Sequence, residues 1–172
     1  MTGDPFPYTC GIPAEPLERY APSGFHPIIL RDTFSHGRYR VIHKLGWGGY
    51  STTWLVRDSL KNRNVVLKVA RADASTKSRP SEKDILLTLA TLSNTHPGYA
   101  HLVQLLDAFE VRGPNGRHEC LVLELLGPSV QNTNHEVFMY DPFPASLAKR
   151  IATQVLQVLD LMSRNGIAHG GQ

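Results

Sequence analysis

The sequence predicts an α+β fold, with five antiparallel strands and one short helix followed by a connector and a long helix. Three observations predict it. Apolar and polar residues alternate over 39–45 and 51–56, and a β-branched run fills 65–69, with glycines or turn residues between them. Apolar residues then recur at spacings of three and four in 85–92 and again in 147–162. Between these helical stretches lie two strand-like runs, 101–111 and 120–125, around Gly113-Pro114-Asn115-Gly116.

Residues 1–37 are rich in proline and show no period, so they predict a leader without regular structure, although Phe25, Ile28, Ile29 and Leu30 are apolar enough to lie against a folded body. The first strand is Tyr39, Val41, His43 and Leu45 alternating with polar neighbours. The second carries Ser51, Thr53 and Leu55, and the third is Val65 to Val69 after turn residues 58–64. Ser81 is placed to cap a helix bearing Ile85, Leu86, Leu89 and Leu92. Pro144 begins the long helix, whose stripe runs from Leu147 to Met162, and Gly166 is placed to stop it. The resulting boundaries are a leader at 1–37, a sheet-bearing domain at 38–126, and a connector with the long helix at 127–172.

With 172 residues, 41% hydrophobic and 19% charged, the chain is long enough for one domain with a core and is not compositionally disordered. Its net charge of +3 forms no concentrated basic patch, so direct nucleic-acid binding is not expected. Cys10 and Cys120 lack metal-ligand spacing, which predicts reduced thiols and neither a zinc site nor a disulfide framework. No signal-type start and no apolar run of membrane-spanning length is read in the sequence, so no membrane role is expected.

The chemistry gathers at three places. Leu45-Gly46-Trp47-Gly48-Gly49-Tyr50-Ser51 joins two strands, whereas a dinucleotide-binding glycine loop leads into a helix; a hydride-transferring oxidoreductase is therefore disfavoured. Glycines at 46, 48 and 49 allow backbone N–H groups to approach phosphate oxygens, and an ordinary glycine-containing hairpin turn would use the same residues. Lys68 is a cation inside an apolar strand, which needs anionic company, and Glu82 is the carboxylate best placed in sequence. A lysine snorkelling from an edge strand is the simpler alternative. Third, the strand ending Leu123-Glu124-Leu125-Leu126-Gly127 runs into the connector, where an adenine would find free backbone groups; by itself it also fits a buried strand.

Loop, lysine, carboxylate and strand end occur in the order that one ATP cleft requires. Here the chain resembles the SR-protein kinase family of serine/threonine protein kinases. The resemblance is carried by Tyr39 to Asp58 (YRVIHKLGWGGYSTTWLVRD), by Tyr20 and Gly24-x-His26-Pro27, and by Leu102-Val103-Gln104-Leu105-Leu106-Asp107, Asn115-Gly116 and Gln154 to Asp160, covering roughly residues 17–170. It implies a kinase N-lobe, a hinge and the first long helix of a C-lobe. Gly46, Trp47, Gly48, Gly49, Tyr50, Ser51, Thr52 and Thr53 would form the phosphate flap, and Lys68 would hold the α- and β-phosphates while pairing with Glu82. Leu123 would be the gatekeeper, Glu124 and Leu126 would pair with adenine, and Leu45 and Val66 would line the pocket. Thr53 stands where a valine is usual and Val66 where an alanine is usual, so the pocket is slightly crowded.

The family implies ATP with Mg2+, protein substrates rich in Ser and Arg, and a place in cytoplasm or nucleus. The segment Ile167-Ala168-His169-Gly170-Gly171-Gln172 resembles the start of a catalytic loop, with Gly171 where the catalytic Asp belongs and no metal-binding Asn or Asp-Phe-Gly element after it. Loss of a general base alone costs about 10²- to 10⁴-fold, so this stretch by itself is expected to be a truncated, inactive portion of a kinase. A partly exposed apolar face on the Leu147–Met162 stripe is the accompanying expectation. The alternative is a non-catalytic, pseudokinase-type fragment that binds nucleotide or a partner.

Overall fold

A computed structural model describes residues 14–72, 80–92, 95–130, 133, 138 and 142–168. The chain divides into two units, Met1–Lys77 with Phe109–Cys120, and Ser78–Ala108 with Leu121–Gln172. Among the described residues the strands and α-helices are, in chain order, β1 (Thr33–Phe34), β2 (Tyr39–Trp47), β3 (Ser51–Asp58), β4 (Arg63–Ala70), α1 (Glu82–Ala90), β5 (Leu105–Gly113), β6 (Gly116–Leu123) and α2 (Ala145–Arg164). The strands form one six-stranded antiparallel sheet in the order β1-β2-β3-β4-β6-β5.

The α+β expectation therefore holds, with one strand more than the five expected. That strand is β1, two residues that pair Thr33 with Arg40 and Phe34 with Tyr39. It lies in the segment read as an irregular leader, because two residues are too short to display an alternation. Ser35, His36 and Gly37 all adopt positive φ in the turn that closes it, a local demand that burial of Phe34 sustains.

In the first unit, alternation does what the sequence pattern requires. On β3, Thr52, Trp54, Val56 and Asp58 are buried, and on β4, Val65, Leu67 and Val69. Phe25, Phe34, Tyr39 and Cys120 complete this core, with the Tyr39 ring stacked on Phe109 at 5.8 Å. Burial pushes the Cys120 thiol up to about 12, as suits a structural thiol. Asp58 is buried and paired in a fork with Arg38 at 3.0 Å, and its Oδ1 accepts the Leu60 N–H. The Arg38 guanidinium beside Asp58 holds its carboxyl below the usual range.

The leader's described part is tied down along its length. Glu15 is buried and receives hydrogen bonds from Lys44 and Tyr20. Ala72 donates its N–H to Gly24 at 3.1 Å, and Asn115 donates from its amide to the Phe25 carbonyl at 2.7 Å. Gly24 must be glycine, since an added Cβ would sit 1.9 Å from the Arg19 carbonyl oxygen.

In the second unit, Ser81 caps α1 as expected, with Asp84 returning the bond in a capping box. The helix buries Leu86 and Leu89 and ends at Ala90, before Leu92, where Thr91 folds back onto Thr88. The run read as a strand over 101–111 is shifted: Pro97–His101 is a 3-10 helix and β5 begins at Leu105. Pro97 sits in its first turn and the His96 ring accepts the Gly98 N–H, a local cap that outweighs the apolar pattern of 101–104. β6 likewise starts earlier and stops at Leu123 rather than Leu125. α2 ends with Gly166 at φ +68°, Gly166 donating to Ser163 and Ile167 to Met162, the Schellman arrangement that a glycine there permits.

Candidate nucleotide-binding site

The glycine segment is the turn between β2 and β3, closed by the Gly48 N–H to the Ser51 carbonyl at 2.8 Å. Its register carries the site. Gly46 pairs with Thr53 and Trp47 with Thr52, while Thr53 pairs with Lys68 and Leu55 with Val66. Irregularities in β2 between Val41 and His43, and between Lys44 and Gly46, re-aim the strand just before the loop. Thr53, Leu55, Val66 and Lys68 thus share the sheet face opposite Trp54 and Leu67 and are half-buried, whereas Trp54 and Leu67 are buried in the core.

None of Gly46, Gly48 and Gly49 adopts positive φ, and a Cβ added to any of them would meet no described residue within 4 Å. Neither backbone conformation nor internal packing requires glycine here. The backbone at these positions is therefore open to close approach by a group from outside the chain. Leu45, Trp47 and Tyr50 are exposed around the loop, and Ser51 is half-buried. Thr52 differs from its neighbours: its side chain is fully buried and its hydroxyl accepts the Trp54 indole N–H at 3.1 Å, so it offers a ligand only its main chain.

The remaining sequence-derived residues lie in the second unit. Glu82 is the first residue of α1 and is exposed. Leu123 ends β6, half-buried. Glu124 is fixed to Gln104 twice, its N–H donating to the Gln104 carbonyl at 3.2 Å and its carboxylate accepting the Gln104 N–H at 2.9 Å. That grip leaves Leu125 and Leu126 exposed at the start of the connector. An apolar depression of about 640 Å³ on α2 is lined by Leu126, Val130, Ile151, Val155, Val158 and Leu159, so the stripe's outer face is open as expected. His169, Gly170, Gly171 and Gln172, read as the start of a catalytic loop, lie outside the described residues. Among the described residues no group of three or more His, Cys, Asp or Glu is placed to hold a metal ion, and no helix is long and apolar enough to cross a membrane.

One residue escaped the sequence reading. Arg71, just beyond β4, donates its backbone N–H to the Tyr50 carbonyl at 2.8 Å and its guanidinium Nη1 to the Gly49 carbonyl at 3.3 Å. The signal was the hairpin register, which aligns Ser51 with Ala70 and so brings the next residue to the loop.

No protein-family model matches the chain. Curated relatives do. Protein kinase dsk1 of Schizosaccharomyces pombe is 39% identical over 161 residues, 90% of this chain and 29% of that protein. Serine/threonine-protein kinase SKY1 of Saccharomyces cerevisiae is 35% identical over 160 residues, 90% of this chain and 21% of that protein. SRSF protein kinase 3 of Homo sapiens is 37% identical over 150 residues, 83% of this chain and 25% of that protein. The chain spans less than a third of the length of these relatives. The chain is thus SR-protein-kinase-like along nearly all of its length, with a glycine turn and Lys68 on one sheet.

Proposed function

We propose that this chain forms the ATP-binding portion of a serine/threonine protein kinase that transfers the γ-phosphoryl group of Mg-ATP to protein substrates. The observation that carries the reading is the glycine turn, where an added Cβ would meet no described residue, registered through Thr53 onto Lys68. Backbone N–H groups of the turn then donate to the phosphates, and the Lys68 ammonium holds the α- and β-phosphates. By family resemblance Glu82 is the carboxylate partner of Lys68, Leu123 is the gatekeeper, Glu124 and Leu126 take the adenine edge, and Leu45 and Val66 cover its faces. The name of the human relative, SRSF protein kinase 3, supports Ser/Arg-rich proteins as the substrate class.

Calorimetry of the chain with Mg-ATP, with adenosine and with NADH tests it. Binding of ATP with a clear preference over adenosine is the expected result. Absence of heat with ATP at high protein concentration, or robust NADH binding, overturns it.

A further inference from the structure

We propose that Arg71 is a positioning residue for the glycine turn, its guanidinium holding the Gly49 carbonyl while Phe25 of the N-terminal segment holds the guanidinium. Arg71 directly follows β4, two residues beyond the core residue Val69. From there Nη1 reaches the Gly49 carbonyl at 3.3 Å, while the backbone N–H holds the next carbonyl, that of Tyr50, at 2.8 Å. The guanidinium carbon stands 5.7 Å from the Phe25 ring centroid, within cation–π range. Phe25 itself is immovable: it is fully buried, its carbonyl accepts from Asn115 at 2.7 Å, and its N–H donates to Arg19 at 2.8 Å.

The consequence follows from peptide geometry. In a planar trans peptide the C=O and the following N–H point in opposite directions, and the chain has no cis bond among its described residues. Drawing the Gly49 carbonyl toward Arg71 therefore turns the Tyr50 N–H away from Arg71. That is the direction in which a phosphate held by Lys68 would need a donor, so this role rests on the nucleotide-binding reading. Glycine at 49 supplies no side chain to fix the peptide, and an external tether does so instead. The same segment of chain grips the strand entering the turn, where Lys44 donates to the buried Glu15 and lies 5.4 Å from the Trp54 ring. The N-terminal segment thus acts on the turn from both sides, through Lys44 before it and Arg71 after it.

The test is hydrogen–deuterium exchange of the nucleotide-free chain, comparing wild type with Arg71→Ala, Phe25→Leu and Phe25→Tyr, with ATP and adenosine titrations alongside. Exchange at residues 48–51 is expected to rise about five-fold in Arg71→Ala, the loss of one hydrogen bond, while β4 stays protected. Phe25→Leu should loosen the same residues and Phe25→Tyr, which keeps an aromatic face, should not. ATP affinity should fall about as much as protection does, with adenosine affinity unchanged. Unchanged exchange at the turn in a folded Arg71→Ala, or a rise spread equally over β2, β3 and β4, overturns the proposal. If Arg71→Ala does not fold, the contrast between Phe25→Leu and Phe25→Tyr decides. If wild type binds no ATP, the nucleotide reading fails by itself, and the exchange pattern still judges the tether.

Discussion

Thr53 on β3 and Lys68 on β4 are directly paired across the antiparallel ladder, and Gly46 on β2 is the next partner in the same row. Three strands thus present a glycine, a hydroxyl and an ammonium side by side on the face opposite the core residues Trp54 and Leu67. Because charge-assisted hydrogen bonds contribute about 1.5–3 kcal/mol each, Lys68→Met should weaken ATP binding by roughly ten-fold or more. Lys68 is not in the core, so the thermal melt should barely move. Calorimetry and a melt on the same sample check this; equal ATP affinity in the variant would remove Lys68 from the phosphate site.

The glycine turn makes a complementary prediction. A methyl at 48 or 49 meets no described residue within 4 Å and no positive φ forbids it, so Gly48→Ala and Gly49→Ala should leave stability unchanged or slightly raised. The same methyls would stand where phosphate oxygens approach. ATP affinity should therefore fall while adenosine affinity holds. A loss of stability without loss of ATP binding would mean that the glycines serve the fold and not a ligand.

What was legible in the sequence followed from periodicity and local caps. Alternation on β2, β3 and β4 placed Val66 and Lys68 on one face, and Ser81 and Gly166 marked helix ends where the capping box and the Schellman turn occur. What was not legible depends on which partner each residue meets, whether near or far in sequence. Phe34 forms a strand because Tyr39 pairs with it and the ring lies in the core, and two residues cannot announce that. The strand read over 101–111 begins only at Leu105, because the His96-capped turn Pro97–His101 takes in its first residue. Thr52 belonged to the motif by position, yet its hydroxyl is committed to Trp54. Arg71 was invisible because its importance depends on a carbonyl 22 residues earlier.

Gly98 permits the close approach of the Pro97–His101 turn to α2. A Cβ there would lie 2.2 Å from the Gln157 carbonyl oxygen, a backbone atom that cannot swing aside. Nearby, His96 holds the turn to the helix through Asp160 at 3.0 Å, and Arg164 shares that carboxylate. The Arg164 and His96 bonds hold the Asp160 carboxyl below its usual range. Gly98→Ala should destabilise by about 1–3 kcal/mol, the usual range for overpacking, with exchange protection lost first in α2. Urea unfolding measures the loss. His96→Ala should cost less, because its partner carboxylate is exposed.

His26 gives the fold a dependence on acidity. Its ring lies 4.8 Å from that of the fully buried His118, whose Nδ1 donates to the Ala70 carbonyl at 2.9 Å. Burial holds the His26 imidazole below its ordinary value of 6.5, repulsion from His118 adds to this, and Asp32 opposes it weakly. His26 Nδ1 is buried and finds no hydrogen-bond partner among the described residues. The sign follows directly. Below 6.5 the unfolded chain binds a proton that folded His26 resists, so stability is complete above 6.5 and declines as the pH falls from there toward the folded value. His26→Phe keeps an aromatic ring beside Phe34 and cannot be protonated. Urea midpoints measured between about pH 5 and pH 7.5 should slope downward toward acid in wild type and flatten in His26→Phe. A variant with the wild-type slope would show that His26 is not the group responsible.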